Sequence, residues 1–126
     1  MSLLEECQAL KGCPTGEAKI TKGYRLPARF VIHTVGPVWH GGERNEPALL
    51  ASCYRRSLLL ADEYKLASIA FPCISTGVYA YPFELATSIA VDTVRKTLPS
   101  CPGILEVIFC CFSENDLKIY EKLLNA

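Results

Sequence analysis

From Glu46 to Leu124 the chain switches repeatedly between a helical and a strand-like hydrophobic period, and that alternation restricts it to a layered α/β fold. A helical pattern covers about Glu46 to Tyr64, with Leu50, Cys53, Tyr54, Ser57, Leu58 and Ala61 on one face and Pro47 in the first turn. The apolar run Ser68 to Ile74 predicts a buried strand. A second helix is predicted from about Pro82 to Leu98, with Leu85, Ala86, Ile89, Ala90, Val94 and Leu98 inward. Pro99 to Gly103 breaks it. Leu105 to Phe112 is nearly all apolar, which predicts a strand covered on both faces. Ser113 is placed to cap a last helix ending near Leu124, with Asp116 as the capping-box acid. Strands joined through helices in this way run parallel.

The first half is less regular. Leu3, Leu4, Cys7 and Leu10 share one face of a predicted helix over residues 3–10. Beyond the Gly12 to Gly16 break, Glu17 to Leu26 reads as a polar-rich strand, with Ala18, Ile20 and Lys22 alternating against Lys19, Thr21 and Gly23. A turn at Tyr24 to Pro27 leads to a second strand, Arg29 to Thr34, so an antiparallel pair is expected. Trp39 to Asn45 is a polar loop. The whole length of 126 residues suits one domain, and a hydrophobic content of 50% suffices for a core.

Between the Ser68 strand and the Pro82 helix lies Ser75-Thr76-Gly77. A strand that feeds a glycine loop and then a helix can aim backbone N–H groups at a phosphate. In open α/β sheets ligands bind beyond the carboxyl ends of strands, where this loop falls. An ordinary strand-to-helix turn has the same composition, so the residues leave both readings open. Ser75 and Thr76 are poor nucleophiles, with no histidine nearby and no G-x-S-x-G elbow.

The charge balance, 13 basic against 13 acidic residues, does not indicate a broad nucleic-acid surface. No apolar run is long enough to span a membrane, and the acidic start Met-Ser-Leu-Leu-Glu-Glu does not read as a signal peptide. Seven cysteines, odd in number and without a C-x-x-C pair, predict buried reduced thiols in a cytoplasmic protein, with no metal site. Cys73, Cys110 and Cys111 lie in apolar runs. His33 is expected to be a hydrogen-bonded core histidine, His40 to be solvated, and Trp39 to lie in the core or at its rim.

Four segments together resemble one known family. Gly12 to Thr21, Val31 to Pro37, Phe71 to Tyr79 and Ile108 to Phe112 are similar, in order and spacing, to a macrodomain of the MacroD type. That ADP-ribose-binding fold includes O-acetyl-ADP-ribose deacetylases and mono-ADP-ribosyl hydrolases, the Appr-1-p processing group. The likeness runs from about Leu3 to Leu124. It implies a three-layer αβα domain with a mixed sheet, here about four strands and four helices. It implies that Ser75, Thr76, Gly77, Val78 and Tyr79 wrap a diphosphate, that Tyr79 lies near the distal ribose, and that Phe112 stacks on adenine. The implied partners are ADP-ribose or a derivative, or an ADP-ribosylated protein, without a cofactor. Were a complete site formed, water would hydrolyse a bond at the distal ribose; the catalytic residues of this chain are unknown.

Two departures qualify the resemblance. The family usually has glycine where this chain has Ala80, a substitution that strains the loop if φ is positive there. The family also begins earlier, with an adenine-binding Asp, an Asn-Ala-Ala-Asn type motif and a glycine-rich loop. Those features are missing from residues 1–126, so the chain reads as a single, N-terminally incomplete macrodomain. In the family the absent second strand lies between the strands matching Ile69–Ile74 and Phe30–Thr34. Its loss implies two strand pairs with open inner edges, which recruit other strands. The strands could close up in a new order, two chains could complement each other as a homo-oligomer, or the chain could be a fragment. Impaired catalysis is expected. The alternatives are a noncatalytic oligomeric remnant without a tight ligand and a weak binder of nucleotides or nucleic acid.

Overall fold

A computed structural model describes residue 5 and residues 12–24, 28–76, 79–111 and 113–125. The helix expected over residues 3–10 lies, apart from Glu5, outside the described residues, as do Gly77, Val78 and Phe112.

The expected antiparallel pair is present. β1 (Ala18–Lys22) runs against β2 (Phe30–Thr34), with Ile20 opposite Ile32. At the end of β1 the alternation shows in burial: Thr21 and the following Gly23 are buried and Lys22 between them is exposed. Thr21 is tolerated inside because its hydroxyl lies 2.9 Å from Nε2 of His33, a diagonal neighbour on β2. His33 is thus hydrogen-bonded and half-buried. Gly23 ends the strand against Ala28, whose carbonyl oxygen would lie 1.8 Å from any Cβ there.

Helix α1 (Glu46–Glu63) packs on β1, β2 and strand β3 (Ser68–Phe71). All six residues predicted for its inner face are buried. β3 stops at Phe71, short of the predicted Ile74, because Pro72 has no N–H to continue a ladder and the chain turns at Ile74 and Ser75. It pairs in parallel with β4 (Glu106–Phe109), Ala70 opposite Ile108. β4 is shorter than its apolar run and is not covered on both faces. Val107 and Phe109 are half-buried, whereas Ile108 is exposed and Leu105, outside the strand, is 83% exposed. Cys110, expected inside, follows the end of the strand and is exposed, while Cys53 and Cys101 are fully buried.

Helix α2 (Phe83–Thr97) continues into a 3-10 turn at Leu98–Ser100. Its buried face is Ala86, Thr87, Ala90, Val91, Val94 and Thr97. Leu85, predicted inward, is 53% exposed. Small side chains, Ala86 and Ala90, occupy the packed surface of α2, and Thr87 is accepted there because its hydroxyl donates to the Phe83 carbonyl, at 2.8 Å. That seam turns Leu85 out. Helix α3 (Glu114–Leu124) is capped as predicted: Asp116 N–H donates to Ser113 Oγ at 3.2 Å. It anchors through buried Tyr120, which stacks on Phe109 with ring centroids 4.9 Å apart and meets Phe83 edge-on. The core joins Leu50, Tyr54 and Leu58 of α1 to Phe71, Ala90 and Val94. Fully burying a leucine such as Leu50 or Leu58 contributes about 1.5–3 kcal/mol. No described helix is long and apolar enough to cross a membrane.

Among the described residues the two pairs are not hydrogen-bonded to each other: β1-β2 is one two-stranded sheet and β3-β4 another. The strands do not close up into a single mixed sheet. Instead a cavity of about 760 Å³ lies between β2 and β3, lined by Phe30, Ile32 and Thr34 from one side and Ile69, Phe71 and Ile74 from the other.

Candidate ligand-binding site

Past the carboxyl end of β3 the chain makes two sharp turns before α2 begins. Ser75 stands at φ 66° and Ala80 at φ 58°, both in the left-handed region. For residues with a Cβ that conformation costs about 1–2 kcal/mol each. The expected strain at Ala80 is therefore real, and Ser75 adds a second strained position. The loop between them is closed by Tyr81 N–H, which donates to the Ser75 carbonyl at 3.0 Å. The Thr76 hydroxyl donates to the Cys73 carbonyl at 3.0 Å. Its hydrogen is thereby committed to the strand end, which leaves backbone N–H groups as the donors a ligand would meet. Helix α2 starts immediately after the loop, and the unpaired amides of its first turn add to the local preference for an anion. The Tyr79 side chain is exposed beside this opening.

A second segment holds the loop in place. Trp39 N–H donates to the Tyr79 carbonyl at 2.9 Å, and the Trp39 ring packs on that of Tyr81 with centroids 4.7 Å apart. Gly36 lies so close to the loop that a Cβ would sit 2.0 Å from Ser75 Oγ and 2.6 Å from Ile74 Cγ2. Among the described residues, Ser75 Oγ and Tyr81 Oη are buried without hydrogen-bond partners, two polar atoms flanking one loop.

The Trp39 segment is itself fixed by Glu46, which is 1% exposed. Its carboxylate accepts backbone N–H bonds from His40 at 2.7 Å, Gly42 at 2.9 Å and Arg44 at 2.6 Å. Burial pushes this carboxyl up, but the backbone donors of His40, Gly42 and Arg44 outweigh it and hold the group down at about 2. Glu46, Gly36, Trp39 and Tyr81 are the supporting residues that hydrophobic pattern does not mark. The available signal was an acid at the head of a helix, directly after a Gly41-Gly42 loop that needs donors satisfied.

The thiols nearby are not poised as nucleophiles. Cys73 donates to the Cys110 carbonyl at 3.5 Å, and burial together with neighbouring Cys111 raises its thiol to about 11. At neutral pH it stays protonated. Among the described residues, no three His, Cys, Asp or Glu side chains converge as metal ligands would. Ser75, Thr76 and Tyr79 are brought together in one loop, whereas Gly77, Val78 and Phe112 are outside the described residues.

The Macro domain family model matches residues 1–90. A Macro domain-containing protein of Chlorobaculum tepidum is 65% identical over 124 residues, covering 98% of this chain and 72% of that protein. The ADP-ribose glycohydrolase MACROD2 of Xenopus laevis is 54% identical over 126 residues, 98% of this chain and 30% of that protein. The crystal structure of a Trypanosoma brucei macrodomain in complex with ADP-ribose superposes with a TM-score of 0.88 at 48% identity, covering 97% of this chain and 51% of that one. On both the family match and these likenesses, the chain belongs to the Macro domain family.

Proposed function

We propose that this chain is a MacroD-type, ADP-ribose-binding macrodomain whose diphosphate cradle is the loop Ser75 to Tyr79. The observation that carries this reading is the loop itself: two left-handed residues bend it, backbone bonds close and strap it, and α2 opens beside it. The ADP-ribose held by the Trypanosoma brucei relative and the name of the Xenopus laevis relative support it. In this reading Tyr79 lies at the distal ribose and Phe112 stacks on adenine. The chemistry would be hydrolysis at the distal ribose, of O-acetyl-ADP-ribose or of an ADP-ribosylated protein. Reduced thiols, all six described cysteines being free, support a cytoplasmic setting.

Calorimetric titration with ADP-ribose tests this. Saturable heat with a Kd of about 1 mM or tighter is expected, equivalent to about 4 kcal/mol of binding. Gly77→Glu should abolish it by placing a charged side chain in an anion site. Absence of heat, or binding undiminished by Gly77→Glu, would remove the loop from the site. The second reading is a noncatalytic, oligomeric remnant, and the facing strand edges of β2 and β3 favour it. Concentration-dependent light scattering without any response to ADP-ribose would select that reading.

A further inference from the structure

We infer that Cys73 and Cys111 are a dithiol pair that a small-molecule disulfide oxidises, tying the ends of β3 and β4 together at the foot of the Ser75 loop. The placement follows from strand register. β3 and β4 pair with Phe71 opposite Phe109, and those two rings stack with centroids 6.2 Å apart. Side chains two positions apart along a strand share a face. Cys73 and Cys111 each lie two residues past this pair, so the same register sets them opposite each other on the same side. The pairing reaches that far. Cys110 N–H donates to the Phe71 carbonyl at 2.8 Å, and the Cys73 thiol donates to the Cys110 carbonyl at 3.5 Å. The Cys73 and Cys111 side chains are themselves hydrogen-bonding neighbours.

This geometry permits a bond. The backbones of paired strands lie about 4.8 Å apart, and a disulfide joins Cα atoms about 4.4–6.8 Å apart. Both residues stand beyond their strands, and Pro72 has already ended the β3 ladder, so the backbone there has room to settle. Both cysteines are half-buried, unlike the fully enclosed Cys53 and Cys101, and keep some surface for a small oxidant of the glutathione disulfide class.

The exchange is complete with that one reagent. The Cys111 thiol releases its proton to water and its sulfur attacks the oxidant. A mixed disulfide forms, the oxidant's S–S bond breaks, and one half leaves as a thiolate that takes up a proton. The Cys73 sulfur, deprotonated in turn, attacks Cys111 Sγ. The Cys73–Cys111 bond forms and the second half leaves as a thiol. Two electrons pass from the protein thiols to the small disulfide. Burial raises both thiols, Cys73 to about 11, which makes attack slow at neutral pH. The same weak acidity makes them poor leaving groups, so the bond resists reduction once made. The pair therefore responds to sustained oxidation, the regime in which intracellular disulfides act as sensors.

The effect of the bond follows from the footing of the loop. The Thr76 hydroxyl rests on the Cys73 carbonyl, and Ser75, at φ 66°, stands two residues beyond Cys73. Turning Cys73 Sγ from the Cys110 carbonyl to Cys111 Sγ shifts that footing. On the reading of this loop as the diphosphate cradle, on which this clause rests, the disulfide form binds ADP-ribose about tenfold more weakly, an ordinary coupling between sites.

The test equilibrates the whole 126-residue chain with glutathione disulfide or with reduced glutathione. Oxidation should remove two of the seven titratable thiols, reversibly with dithiothreitol, and fragmentation mass spectrometry should map the bond to Cys73 and Cys111. Amide exchange across residues 73–81 should change by about threefold or more. Cys73→Ser and Cys111→Ser should each abolish the bond, and Cys110→Ser should keep it. The proposal is overturned if no intramolecular disulfide forms, if the bond uses Cys110 or any other cysteine, or if exchange in the loop is the same in both forms. Calorimetry with ADP-ribose on the two forms adds the ligand arm. Equal affinity in both overturns the coupling. Absence of heat from the reduced form removes the cradle reading instead, and the exchange data still decide whether the bond moves the loop.

Discussion

Ala80 at φ 58° and Ser75 at φ 66° bend the same loop without a glycine at either position. Replacing Ala80 by glycine relieves the clash of a left-handed Cβ. Ala80→Gly should raise stability by about 1 kcal/mol, read in urea as a higher midpoint at unchanged slope. Strain at Ala80 was legible because the family resemblance marks the position as a glycine site. Strain at Ser75 was not, since serine carries no comparable signature. Glu46 sets a pH dependence whose sign follows from its environment. Its ordinary carboxyl value is 4.5 and its folded value about 2, so it stabilises the fold fully above pH 4.5. That stability is lost as pH falls from 4.5 through 2. Unfolding of Glu46→Gln, followed by circular dichroism over this interval, should show a shallower acid loss than the parent chain. Equal slopes would mean that Glu46 is not held ionised by the loop amides.

At the level of elements, α1 was readable residue by residue because its buried stripe is made of large apolar side chains at a helical spacing. The stripe of α2 was misphased, because Ala86 and Thr87 mark the inner face while Leu85 beside them carries the stronger hydrophobic signal. The two helices therefore separate hydrophobicity from burial. Leu58→Ala should cost about 2–5 kcal/mol, as a fully buried leucine leaves a cavity. Leu85→Ala should stay within about 0.5 kcal/mol. Thermal denaturation of the two variants side by side checks both helices, and a large loss for Leu85→Ala would overturn the phase of α2. Ser113→Ala should lower stability by about 1 kcal/mol through loss of its bond to Asp116 N–H, measurable in the same assay. β4 teaches the related lesson for strands. An apolar run predicts cover on both faces, yet cover depends on what lies opposite, and Leu105 and Ile108 remain exposed.

For the molecule as a whole, the order of elements was legible in the hydrophobic periods, and the parallel and antiparallel pairings followed from the connections. The separation of the pairs was not visible in any period. It followed from comparing residues 1–126 with the resemblance, which places a strand between the matching segments. ADP-ribose bound at the Ser75 loop as proposed would bind only the folded state, and at a hundredfold excess over its Kd it should stabilise the chain by about 2.7 kcal/mol, seen as a concentration-dependent unfolding midpoint. The contact between Trp39 and Tyr81 has a different use. Trp39 is the sole tryptophan, its ring packs against the core, and its amide holds the Tyr79 end of the loop. Intrinsic emission from this single indole is therefore a label-free gauge of the loop, and quenching or a wavelength shift on ligand addition locates the event beside Tyr81.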